Sequence, residues 1–293
     1  RLLTVTGVQT CALPISYAEQ FAEIDFTIRI LQHERNRGVA AARNTALKCA
    51  TGDYIYYVDA DDSIEPHTLE CLVNEINHKG LDIVGHEWYL TFNSNARYMK
   101  QPAYTTSVEA LRKMMGGVMR WNLWLFLVRR SLYVENDIRF TEGLNMGEDM
   151  MVMMKLFICA GKVGIVHRPF YHYRQSNPES LTKIYSQEHI IQVANNVYEV
   201  EKYVNASAYA DSLIEFIPFL KLNIKLPLLI TDDKSHYEQW LECFPEANCY
   251  VMNNKLLPLR TRIIQWMAVK RYFILLRLYY RTVFKLVYGI IYK

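Results

Sequence analysis

Three carboxylates crowd the end of an apolar run in Tyr54-Ile55-Tyr56-Tyr57-Val58-Asp59-Ala60-Asp61-Asp62. Acids this close repel one another unless they are solvated, hydrogen-bonded or bridged by a cation. An oxygen-only donor set suits a hard divalent ion, Mg²⁺ or Mn²⁺, whose other ligands are typically substrate phosphates. A plainer reading also fits, in which Asp-Asp-Ser makes turn and cap contacts and Pro66 opens the next helix. A second acidic pair, Glu148-Asp149, follows Gly147 and precedes an apolar stretch. At a helix N-terminus the dipole favours the ionised form of both.

The elements that must position these groups can be read from residue pattern. Tyr54 to Val58 is rich in β-branched and aromatic types and reads as a buried strand. Ligands of open α/β sheets sit at the carboxyl ends of strands, where Asp59, Asp61 and Asp62 fall. Upstream, Phe26 to Leu31 alternates as a strand, Asn36-Arg37-Gly38 is a turn, and Val39 to Cys49 is an Ala-rich helix. Downstream come a helix from Pro66 to His78 and a strand from Asp82 to Gly85. This rhythm predicts an α/β fold with a largely parallel sheet. Ser107 is the expected cap of a helix through Met115, which Gly116-Gly117 ends. Met150 to Ala160 is apolar all round and should be a buried helix. Lys162 to His167 reads as another strand, and the chain turns mainly helical from Gln187.

With 293 residues, 51% hydrophobic and 22% charged, the chain is globular and long enough for one large α/β domain with an appendage. The net charge of +3 conceals an asymmetry. From Lys255 to Lys293 there are nine Lys/Arg and no Asp or Glu, against 24 basic and 30 acidic residues elsewhere. The six cysteines show no C-x-x-C spacing and read as small apolar core residues of a reducing compartment. With no run of 18 apolar residues, no transmembrane helix is expected. Residues 1–16 do not connect sensibly with the chain from Tyr17 onward. They resemble translated sequencing adapter and read as a non-native segment.

Taken together, Asn36-x-Gly38-x-x-x-x-Arg43-Asn44, Asp59-Ala60-Asp61-Asp62, Gly147-Glu148-Asp149 and Tyr171-x-Tyr173-Arg174 resemble, in that order, the motifs of bacterial family 2 glycosyltransferases. The resemblance covers roughly residues 17–180. It implies a GT-A-type nucleotide-sugar-binding domain over 17–185 and a mainly helical region over 186–293. Members begin with a hydrophobic strand ending in a Pro-x-Tyr-Asn type turn, then an Asp-Asp-Gly-Ser type segment. Neither is present, so the domain is expected to be incomplete at its N-terminus.

The resemblance also implies roles. Asp59 and Asp61 match a D-x-D pattern that holds a divalent cation against a nucleotide diphosphate, and Asp62 orients a water or a sugar hydroxyl. Asn36, Gly38, Arg43 and Asn44 fall on the donor side, where a guanidinium suits phosphate or sugar oxygens. Asp149 matches the catalytic base that accepts the acceptor hydroxyl's proton in inverting transfer, with Glu148 as its alternate. Trp121, Tyr173 and Arg174 line the cleft or acceptor side. His167, His172 and Trp124 are better explained by packing and structural hydrogen bonds. The implied activity is metal-dependent transfer from a nucleotide-diphosphate sugar, such as a UDP-sugar, to a saccharide or lipid-linked acceptor in cell-surface polysaccharide synthesis.

In the tail 255–293 a long helical candidate follows Lys255–Arg260 and runs to Tyr292, with Lys270, Arg271, Arg277, Arg281 and Lys285 on one side among aromatic and aliphatic residues. That pattern suits an anionic membrane surface and a peripheral place on the inner face of the cell membrane. Solvated arginines on a packed helix are the simpler alternative. Nothing accompanies the tail that would mark a nucleic-acid partner. Two other functions compete: a non-catalytic nucleotide-binding or membrane-docking module, and a haloacid-dehalogenase-like phosphatase. The phosphatase loop would want Thr or Val where Ser63 stands.

Overall fold

The computed structural model describes residues 29–175 and 186–283. The strand expected over Phe26–Leu31 lies partly outside them, and residues 29–31 form no regular element. The first helix, α1, spans Gly38–Cys49. β1 is Tyr54–Ile55 and β2 is Ser63–Ile64. Helix α2 runs over Thr68–Lys79, β3 over Ile83–Thr91 and β4 over Ala96–Met99. Helix α3, Ser107–Met115, precedes β5, Phe126–Arg129, and α4, Arg130–Glu135. Then come α5, Glu148–Cys159, and β6, Val163–Arg174.

Among the described residues the sheet has six strands, ordered β1-β5-β3-β6-β2 with β4 beside β3. Of these pairs only β3 and β6 run parallel; β1/β5, β3/β5, β3/β4 and β2/β6 are antiparallel. The expectation of a largely parallel sheet is therefore corrected to a mixed one. The β3/β6 register slips between His86 and Trp88, where β6 carries Pro169. Proline cannot donate to the ladder, so a bulge is where a strand tolerates it.

Helix starts shift by a residue or two for identifiable reasons. Pro66 lies ahead of α2, because His67 adopts a left-handed φ of 63° and delays the helix to Thr68. Thr106, not Ser107, caps α3: its hydroxyl accepts from the Glu109 amide at 3.2 Å. Ser107 instead donates to the Ala160 carbonyl at 2.9 Å. The methionine-rich α5 is buried as its all-round apolarity requires, with Met150, Met151, Val152, Met153 and Met154 all inaccessible. Of the cysteines, Cys71, Cys159 and Cys243 pack against the cores as expected, and Cys11 lies outside the described residues. Cys49, Cys71, Cys159 and Cys243 are half-buried and Cys249 is exposed; all are free thiols.

The remaining part is helical. It includes α6, Gln187–Asn205; α7, Ala210–Leu213; α8, Ile217–Ile224; and α9, Lys234–Glu242. The tail is not one long helix. It divides into α10, Leu259–Val269, and α11, Phe273–Tyr279. Arg271 takes a left-handed φ of 57°, and the Tyr272 amide reaches back to the Met267 carbonyl at 2.9 Å. This closes α10 as a Schellman turn, with arginine where glycine is usual. No described helix is long and apolar enough to cross a membrane.

Candidate active site

The site forms where the segment between β1 and β2 meets the start of α5. Arg43, on α1, joins them. Its guanidinium donates to Glu148 Oε1 at 2.5 Å and lies 3.8 Å from Asp59 Oδ1. The Tyr57 and Phe140 rings flank it, with centroids 5.8 and 5.6 Å away. The Glu148 side chain is only 9% exposed, whereas that of Asp59 is 42% exposed. Glu148 is thus enclosed as the partner of Arg43, and Asp59 is open to solvent.

Asp149 sits in the first turn of α5. Its Oδ1 accepts from the Met150 amide at 2.8 Å, and its Oδ2 accepts from the Asn122 side chain at 3.4 Å. Gly147, not Asp149, holds the cap position, with a φ of 75°. Burial pushes the carboxyl groups of Glu148 and Asp149 upward, and the Arg43 charge opposes that rise in both. Burial likewise raises Asp59, against Arg43. A carboxylate with a raised pKa is a better proton acceptor near neutral pH.

Asp62 is committed to structure. The Tyr171 hydroxyl donates to its Oδ2 at 2.8 Å and the Arg174 amide donates to its Oδ1 at 2.8 Å. The same Tyr171 oxygen accepts from the Asp59 amide at 3.0 Å. Tyr171 is fully buried and stacks on Trp124 at 4.3 Å. This one phenol therefore fixes both ends of the acidic turn. Desolvation pushes the Asp62 carboxyl up to about 7, despite those two donors.

The glycine-containing turn before α1 is a positioning device. Gly38 has φ 84°, and its amide donates to Asn36 Oδ1 at 2.9 Å. A Cβ here would stand 2.3 Å from Asn145 Oδ1, the same oxygen that accepts from the Ala40 amide at 3.1 Å. Asn44 donates to the Phe140 carbonyl at 2.8 Å and accepts from the Phe140 amide at 2.9 Å. Its amide thus holds the segment that carries one face of the Arg43 sandwich.

Helix α6 closes the other side. Gln192 accepts from the Asn145 amide at 2.8 Å, and Asn196 donates to the Met146 carbonyl at 2.8 Å. Tyr173 is half-buried with its ring 5.5 Å from that of Trp124. Trp121 packs partly buried on the core, and the Arg174 residue is exposed. Trp124 itself is core, and the two histidines make structural contacts: His167 meets Glu87 at 3.0 Å and His172 meets Glu65 at 2.7 Å. Asn122, Asn145, Gln192 and Asn196 are not singled out by sequence, because isolated amides carry no motif.

No group of three or more His, Cys, Asp and Glu side chains arranged to hold a metal is found among the described residues. A divalent ion here would rest on Asp59 and Asp61. Both are accessible hard-oxygen donors, a fit for an ion that takes one or two carboxylates and fills its shell with phosphate and water.

A mixed sheet with an acidic turn at a strand end, faced by an arginine-linked Glu-Asp pair, defines a GT-A-type α/β domain. Residues 15–155 match the model of "Glycosyl transferase family 2", so this stretch carries that family's domain. It is 32% identical over 174 residues to the uncharacterized glycosyltransferase EpsJ of Bacillus subtilis, an alignment covering 57% of this chain and 50% of that protein. It is 32% identical over 171 residues to the cholesterol galactosyltransferase of Borreliella burgdorferi, covering 54% and 47%. The chain thus spans about half the length of these curated relatives. The crystal structure of S. aureus TarS 1-349 in complex with UDP-GlcNAc shares the fold. Its TM-score is 0.67 at 17% identity, over 95% of this chain and 82% of that one.

Proposed function

We propose that this chain carries out inverting transfer of a sugar from a nucleotide-diphosphate sugar, of the UDP type, to a saccharide or lipid-linked acceptor in cell-surface polysaccharide synthesis. The observation that carries this is the placing of Asp149 within reach of the Arg43 charge, beside the Arg43–Glu148 pair and the accessible Asp59. One carboxylate is held by Arg43 and the other is available for chemistry. The names of the relatives support the class of reaction, and the UDP-GlcNAc bound by TarS supports a nucleotide-sugar donor.

Asp149 accepts the proton of the acceptor hydroxyl as that oxygen attacks the anomeric carbon. Asn122 orients the carboxylate, and the α5 N-terminus favours its ionised form before the proton arrives. Burial raises the Asp149 carboxyl, and the Arg43 charge opposes that rise. Asp59 and Asp61 would hold Mg²⁺ or Mn²⁺, which when bound neutralises the diphosphate and assists its departure. Tyr173, Arg174 and Trp121 border the acceptor side. Region 255–293 meets an anionic membrane surface, which places the protein peripherally on the inner face of the membrane.

The test is Asp149→Asn. Turnover should fall by about 10²–10⁴-fold while UDP binding, followed by calorimetry, is kept. Turnover that survives the change removes Asp149 as the base.

A further inference from the structure

The α10–α11 corner exposes more apolar surface than a solvent-facing pair of helices needs. On α10, Leu259, Ile263 and Trp266 recur at helical spacing and are all exposed. Trp266 meets exposed Tyr272 edge-on at 5.7 Å, so the stripe continues around the corner. On α11, Ile274 is 84% exposed and Leu278 57%. The opposite face of α11 is anchored, with Leu276 buried and Phe273 against Tyr237 at 5.5 Å. Scattered single exposures are ordinary, but a connected set marks a contact surface.

Charge decides what the contact is. Arg260, Lys270, Arg271 and Arg277 lie exposed around the stripe, and no acidic residue occurs from Lys255 to Lys293. Arg281 meets a carboxylate from outside the tail, Asp232, at 3.5 Å. A protein partner of the same chain would bring these cations against each other, whereas an anionic bilayer neutralises them and takes up the apolar side chains. No described helix is able to span, so the element lies on the surface.

The geometry points to the α10–α11 corner as the membrane-docking face: Trp266, Tyr272, Ile274 and Leu278 enter the headgroup boundary of an anionic bilayer while the flanking arginines and lysines bind lipid phosphates. This rests on the proposed membrane association and names the face that performs it.

The full chain is sedimented with phosphatidylcholine vesicles and with mixed phosphatidylcholine–phosphatidylglycerol vesicles. Wild type should bind the mixed vesicles preferentially, and added salt should release it. The double change Ile274→Glu/Leu278→Glu alters only exposed positions and should weaken partition about tenfold or more. Equal binding of this variant and wild type overturns the face while leaving membrane association standing. No vesicle binding by wild type overturns both. A concentration-dependent dimer that the double change disperses identifies a second copy as the occupant, and likewise overturns the inference. Turnover on a water-soluble acceptor, measured in parallel, should be unaffected. Its absence in wild type would refute the catalytic reading without touching the docking face.

Discussion

Replacing Arg43 by Met tests whether the Arg43–Glu148 pair organises the site. Glu148 is 9% exposed at its side chain and its partner stands 2.5 Å away, so removing the cation strands a buried carboxylate. Breaking such a pair from one side costs about 3–5 kcal/mol. Met is long enough to lie between the Tyr57 and Phe140 rings, so little of the cost arises from lost packing. At roughly 2–4 °C per kcal/mol for a chain of this size, the melting point should drop by about 6–20 °C. Replacing both partners, Arg43→Met with Glu148→Leu, removes the stranded charge and should recover most of that loss. Turnover should stay low in the double variant, because Asp59 and Asp149 still lack their cation. Thermal melts of the four members of the cycle give the coupling. Additive losses, with the double variant as unstable as the sum of the single ones, would refute the reasoning.

Two further changes probe positioning. Gly38→Ala places a Cβ against Asn145 at a φ of 84°, so it should destabilise the chain by more than about 1 kcal/mol, read by urea titration. Asp62→Asn tests the half-buried carboxyl at the acidic turn. Its folded pKa, about 7 from desolvation, lies above the unfolded value, so the folded state holds the extra proton and stability falls as pH rises through that window. The asparagine variant should show a flatter stability profile between about pH 4 and 7, and an unchanged profile would count against a raised Asp62 pKa.

What the sequence revealed and what it hid differ by mechanism. Helix α5 was legible because its positions from Met150 onward are apolar on every side apart from Lys155, and its burial follows from that alone. The Asn36–Gly38 turn was legible because a local amide-to-side-chain bond and a positive φ leave a short signature. Sheet direction was not, because pairing is set by contacts between distant segments: Ile83 with Val163, Tyr54 with Arg129. The tail's break was hidden for another reason. Arg271 adopts a conformation that glycine would have announced, held there by the Tyr272 amide on the Met267 carbonyl. The two functions of Tyr171 were equally invisible, since one hydroxyl serves Asp59 and Asp62 only after β6 has been placed beside β3.

Contacts between distant segments also bear on the division near Ser186. The turn carrying Glu148 and Asp149 is held from α6: Gln192 and Asn196 take up the backbone at Asn145 and Met146, and Val193 lies 3.6 Å from where a Gly147 Cβ would stand. Asn196 is fully buried, and without it the Met146 carbonyl loses its side-chain donor. Losing that hydrogen bond costs about 0.5–1.5 kcal/mol, enough to shift a glycine-hinged turn away from the geometry proton transfer requires. The helical region is therefore a structural component of the candidate catalytic site. A chain cut at residue 185 would keep Arg43, Asp59 and Asp149 in sequence yet lose the side chains that hold the turn in place.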